Sequence, residues 1–125
     1  MEDILSNKII GAAIDVHKYL GGPGLLESIY EAALCHELQL QGFKIQRQLS
    51  VPIVYKGVVI KDPLFLDILV ENKVIIEVKA TDKMNPIYET QVLTYLRLTG
   101  FKLGLVINFG SACIKNGLAR VVNGL

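Results

Sequence analysis

Two apolar runs, residues 64–70 and 74–80, stand three residues apart, and this spacing constrains the fold more than any other feature of the chain. Each run has the length of a strand, and the polar link Glu71-Asn72-Lys73 between them reads as a hairpin turn. A three-residue loop sets Val70 against Val74, Ile68 against Ile76 and Leu66 against Val78, giving one apolar face. The other face then pairs Leu69 with Ile75, Asp67 with Glu77 and Phe65 with Lys79. A two-residue loop would slip the register and put Asp67 on the core face, burying a carboxylate without a partner. Burial therefore favours the register that gathers Asp67, Glu77 and Lys79. The turn chemistry opposes it, because such loops usually end on Gly or Asn and Lys73 is neither.

The rest of the chain supplies what a sheet of this kind must pack against. Ile4, Leu5, Ile9, Ala12, Ala13, Val16 and Leu20 recur at helical spacing, predicting a helix over 2–20 that Gly21-Gly22-Pro23-Gly24 ends. A second helix is expected over 25–41 and a third over 86–99, with Pro86 in its first turn and Gly100 as its stop. Strands are expected over 44–55, 58–61, 64–70, 74–80, 102–108 and within 114–122. Pro52 marks an edge or a bulge in the first of them. The order α-α-β-β-β-β-α-β-β predicts an α/β fold, a mixed sheet flanked by helices, in one domain over 1–125.

The hairpin also suggests chemistry. Glu77 and Lys79 are two apart on a strand and share a face. Two carboxylates held close repel one another unless a cation sits between them. Hard oxygen ligands suit Mg²⁺ or Mn²⁺, and the main-chain carbonyl of Val78 could add to such a shell. A metal there could polarise a phosphoryl oxygen and activate water, with the Lys79 ammonium stabilising developing negative charge. A surface ion pair on an exposed strand would also place an acid and a base two apart.

Three short patterns add to this. Asp67 followed by Glu77-Val78-Lys79 resembles the signature of the PD-(D/E)XK nuclease superfamily, with Leu66 where the superfamily name has a proline. Gly24-Leu-Leu-Glu27-Ser-Ile-Tyr30 resembles the GxxExxY motif of a group of small bacterial and archaeal proteins in that superfamily. Gln91-Val-Leu-Thr-Tyr95 resembles the QxxxY motif of its RecB-like and lambda-exonuclease-like branch. The resemblance runs over essentially the whole chain. It implies a nuclease core, Glu27 as an added metal ligand, Gln91 orienting Lys79 or a water, and Tyr30 and Tyr95 beside the substrate. Tyrosines on amphipathic helices are also ordinary core residues, and Glu27 could simply sit at a helix N-terminus for its dipole.

The expected function is thus Mg²⁺-dependent hydrolysis of phosphodiester bonds, most naturally in DNA. The alternatives are a non-catalytic module that binds nucleic acid or protein on the same fold, and a hydrolase of another phosphorylated substrate. A net charge of +1 predicts no strong overall pull on polyanions, so a grip on nucleic acid would need a local patch; Lys83 and Lys102 are candidates. Hydrophobic residues make up 51% of the chain, which excludes a disordered one and points to a self-interface, so a homodimer is an expected partner. A separate protein partner could supply specificity. His17 is expected to be an ordinary half-buried residue, and Cys35 and Cys113 to be buried, reduced thiols in a cytoplasmic protein. The acidic start predicts no secretory leader, and no apolar run is long enough for a membrane span.

Overall fold

A computed structural model describes residues 2–124. Met1 and Leu125, the ends of the expected 1–125 domain, lie outside the described residues. Helices α1 (Glu2–Tyr19) and α2 (Glu27–Leu40) come first, then strands β1 (Ile45–Tyr55), β2 (Val58–Val70) and β3 (Val74–Lys79). Helix α3 (Pro86–Thr99), strand β4 (Leu103–Asn108), a short 3-10 turn (Ile114–Gly117) and strand β5 (Leu118–Val122) follow. The five strands lie in the order β1-β2-β3-β4-β5. All neighbours are antiparallel except β3 and β4, whose parallel pairing needs a crossover, and α3 provides it. This is the mixed α/β sheet expected.

The helices cover both faces. Helices α1 and α2 pack Ile9, Leu34 and Leu38 on Ile68, Val70, Val74, Ile76 and Val78. Helix α3 packs Val92, Tyr95 and Leu96 on Leu69, Ile75 and Val106. The alternation along β3 thus serves two cores, which is why the strand reads as an unbroken apolar run.

The first departure from expectation is that 58–61 and 64–70 form one strand. Val51 pairs with Leu64 and Ile53 with Lys61, so Asp62 and Pro63 oppose Pro52 alone. This bulge sets both prolines where the ladder asks for no N–H, so neither breaks its strand. Pro52 does lie on an edge strand, as expected.

The turn objection also resolves. The pairing Val70↔Val74 is that of a three-residue loop. The left-handed positions, however, are Glu71 (φ 53°) and Asn72 (φ 55°), and Lys73 donates its N–H to Val70 at 3.0 Å. Lys73 therefore needs no special backbone conformation, and Glu71 accepts the strain while its Oε2 takes the Lys44 N–H at 2.6 Å.

At the other end, α3 begins at Pro86 and stops at Gly100 as expected. Asn85 accepts the Ile87 N–H at 3.0 Å, and Gly100 adopts φ 86°. No described helix is long and apolar enough to cross a membrane.

Candidate active site

The hairpin does not run as a full ladder. Pairing between β2 and β3 stops at Ile68↔Ile76, so the expected pairs Asp67–Glu77, Leu66–Val78 and Phe65–Lys79 do not form. Instead the Asp67 side chain takes the next bond: its Oδ2 accepts the Val78 N–H at 2.8 Å. Beyond this point β2 stays paired with β1 and leaves β3, Leu66 packs in the cluster under α3, and Phe65 is exposed. A carboxylate that satisfies a buried backbone donor has replaced the strand that would have done so. The result is a fork, with Asp67 on one tine and Glu77 and Lys79 on the other.

The trio is still brought together. Asp67 is 8% exposed and Glu77 6%. Lys79 Nζ lies 3.5 Å from Glu77 Oε2 and 4.9 Å from the centre of the Tyr88 ring. Glu77 Oε1 is buried and meets no donor, and the same holds for Gln91 Oε1 on α3. Burial pushes Glu77 up to about 7, with Asp67 and Glu27 adding to the rise and Lys79 opposing it. Burial likewise pushes Asp67 up to about 6, opposed by the Val78 N–H and reinforced by Glu31 and Glu27.

Glu27, the first residue of α2, is exposed, yet its carboxyl is raised by partial burial and by Glu31 and lowered by Lys79. That coupling places it within electrostatic reach of the fork. Tyr95 is buried, with its hydroxyl donating to the Phe65 carbonyl at 3.3 Å. Burial, then Glu77 and Asp67, push the Tyr95 hydroxyl up to about 12. Gln91 and Tyr95 line one cavity with Leu64, Ile87, Thr90 and Thr94.

Tyr30 lies elsewhere. It is fully buried, its ring stacks on Phe109 at 4.8 Å, and its hydroxyl donates to Gly22 O at 2.7 Å while accepting from Leu25 N at 3.1 Å. Both hydroxyl functions are committed to the loop before α2, and the ring belongs to the core. The GxxExxY spacing therefore works as a clasp: Tyr30 fastens the glycine loop that delivers Glu27. His17 is more buried than expected, with Nε2–H donating to Ser111 O at 3.0 Å. Cys35 is buried but Cys113 is exposed, and both are free thiols. Lys83 and Lys102 are exposed.

Three contributors were missed by reading the sequence for a site. Glu31 is buried and accepts from Arg47 Nη2 at 3.4 Å and Gln48 Nε2 at 3.1 Å. Tyr88 supports Lys79 with its ring and donates its hydroxyl to Thr81 Oγ1 at 3.1 Å. Asn108, fully buried, accepts Thr81 N–H at 2.9 Å and donates to Thr81 O at 3.0 Å, fixing the chain just past Lys79. Only Glu31 left a signal, standing one helical turn after Glu27.

Among the described residues no three acidic, histidine or cysteine side chains are gathered as a complete cation cage. The donor set nevertheless fits a divalent cation. It offers two buried carboxylates whose charged forms are disfavoured and an oxygen, Glu77 Oε1, without a donor. Mg²⁺ asks for one or two carboxylates and fills its shell with water and phosphate.

The raised carboxyls make stability depend on pH. The folded state holds the Asp67 and Glu77 protons above their ordinary values of 3.8 and 4.5. Folding therefore binds protons, and the associated stability is full below about pH 4 and is lost as pH rises through about 6 to 7. Melting of the protein in chelator should show Tm falling across this window, and the fall should be shallower in Asp67→Asn. A Tm that rises through the window would contradict the burial of the pair.

A family model described as the PD-(D/E)XK nuclease superfamily matches residues 3–121. No curated protein and no solved structure gives a match.

Proposed function

Since the chain belongs to the PD-(D/E)XK nuclease superfamily, we propose that it hydrolyses phosphodiester bonds of DNA with Mg²⁺ or Mn²⁺. The observation that carries this reading is Glu77: a buried carboxylate beside Asp67, with one oxygen bonded to no donor and the other facing Lys79. A pure binding module has no physical use for two such carboxylates, which repel phosphate. Asp67, Glu77 and the Val78 carbonyl would hold the ion, with Glu27 completing the shell from α2. The ion would supply charge stabilisation on a phosphoryl oxygen and activate water.

The protein's own groups then act as follows. Glu77 and the Tyr88 ring hold the Lys79 Nζ in place, directed at negative charge that builds on the phosphoryl group. Water adds to phosphorus, the ester P–O bond breaks, the water gives up a proton and the departing oxygen gains one. Gln91 orients Lys79 or the water, and Tyr95 lies along the phosphate path.

Within the superfamily, Gly24, Glu27, Tyr30, Gln91 and Tyr95 support placement in the GxxExxY group of the RecB-like and lambda-exonuclease-like branch. The reading includes a single domain over 1–125 and a reducing, cytoplasmic setting, which suits two free thiols. It also includes a homodimer or a protein partner that gives specificity. The exposed Val54, Tyr55, Val58, Val59 and Ile60 on the β1–β2 ribbon support a protein contact.

The test is Mn²⁺ titration by calorimetry into the parent and Asp67→Ala, with cleavage of DNA and RNA followed in the same buffers. Saturable binding lost in Asp67→Ala, together with metal-dependent cutting, is the expected result. Binding without cutting would point to a missing partner or another phosphorylated substrate, and no saturable binding in the parent, with substrate present, would favour the non-catalytic module.

A further inference from the structure

Strand β1 carries an irregularity that the ladder alone does not explain. Arg47 pairs with Ile68 and Leu49 with Leu66, yet Gln48, which faces Asp67 between them, is unpaired. Its φ is 50°, far from the strongly negative value of a strand and in the region that side-chain-bearing residues seldom occupy. Neither proline nor bulge lies at this point, because the register is the same on both sides of it. Strain of this kind persists where surrounding contacts hold it, and it gathers at functional sites.

The contacts it gains are specific. Gln48 Nε2 donates to Glu31 Oε2 at 3.1 Å and to Asp67 Oδ1 at 3.4 Å. Asp67 is thereby held at both oxygens, by Gln48 on one and by the Val78 N–H on the other. Glu31 is steadied in turn by Arg47. The donor is a neutral amide. It fixes two carboxylates without cancelling their charge, so the charge stays available to a cation, whereas a lysine here would occupy that role itself.

We propose that Gln48 is a positioning residue of the cation site: its left-handed backbone aims the amide between Glu31 and Asp67 and sets Asp67 for the ion. This deepens the metal-dependent reading and rests on it. The proposal makes stability and function move apart. Glycine at this position keeps the backbone free of strain but removes the amide. Asparagine tolerates the left-handed conformation but is one methylene too short to reach both carboxylates.

The experiment is Mn²⁺ titration by calorimetry into the parent, Gln48→Gly and Gln48→Asn, with melting of each in chelator. The expected result is a Kd weakened about tenfold or more in both variants, the usual cost of losing a group that orients a ligand. In Gln48→Gly relief of the left-handed strain offsets the lost hydrogen bonds, so the Tm should stay close to that of the parent. A Kd within about twofold of a binding parent would overturn the role of Gln48 and leave the nuclease reading intact. A Tm that drops along with affinity in Gln48→Gly, or failure of that variant to fold, would make Gln48 a structural residue and also overturn it. A parent without saturable Mn²⁺ binding would remove the cation site, and this inference with it.

Discussion

Lys79→Ala should lower the turnover of metal-dependent cleavage by about 10²- to 10³-fold while leaving Mn²⁺ affinity close to that of the parent. The size follows from what Lys79 offers. Its side chain is only 15% exposed and is held between Glu77 Oε2 at 3.5 Å and the Tyr88 ring at 4.9 Å, so its charge is fixed in direction. A fixed charge in a partly dry site stabilises a transition state far more than a mobile one in water. The affinity should survive because removing a cation leaves both carboxylates to the metal. Lys79 also lowers the Glu77 carboxyl, so the variant should need a higher pH to bind the ion fully. The measurement is single-turnover cleavage at saturating metal, at about pH 8 to keep Glu77 ionised. Unchanged turnover would remove Lys79 from the mechanism, and lost metal binding would make it a structural partner of Glu77.

Tyr30→Ala should cost about 3–5 kcal/mol of folding stability, the usual range for emptying a buried aromatic site. Tyr30 is fully buried and stacked on Phe109, so its removal leaves a cavity between α2 and the sheet. It also unties Gly22 and Leu25, whose polar groups the hydroxyl satisfies. Tyr30→Phe isolates that second part and should cost about 1–3 kcal/mol, since the ring remains and only the buried partners go unmet. Urea unfolding of both variants separates the terms. The same pair decides between the two roles considered for this tyrosine. If Tyr30→Phe weakens DNA binding with stability unchanged, the hydroxyl serves a substrate. If stability falls and binding by the folded fraction does not change, it serves the loop.

Much of this architecture was legible because local rules and burial agreed. The three-residue register at Val70 and Val74 followed from refusing to bury an unpaired Asp67, and the hairpin has that register. Helix α3 was bounded by Pro86 and Gly100, both of which act locally. What escaped depends on contacts between distant segments. The merging of 58–61 with 64–70 required knowing that Pro52 would face Asp62 and Pro63, which only the pairing of β1 with β2 reveals. The fork at Asp67 was invisible for a related reason. Period-two reasoning assumes that ladders continue, and a side chain that captures a backbone donor breaks that assumption without changing the hydrophobic pattern. Gln48 lies in the strand predicted over 44–55 and has no feature that marks it. Tyr30 fitted two patterns at once, a motif position and a core stripe, and its hydrogen bonds favour the core. Tyr88 lay one turn before the QxxxY pattern and could be linked to Lys79 only in three dimensions.

The bond from Val78 to Asp67 turns one amide into a built-in probe. A strand amide normally exchanges its hydrogen for deuterium at a rate set by the opening of its sheet. Val78 is buried within β3, but its acceptor is a carboxylate that titrates and is a candidate to bind an ion. Its exchange should thus follow the chemical state of Asp67, while Ile75 and Ile76 beside it follow the stability of the sheet. Isotope labelling of this single position would read out occupancy of the fork in the absence of any substrate or turnover.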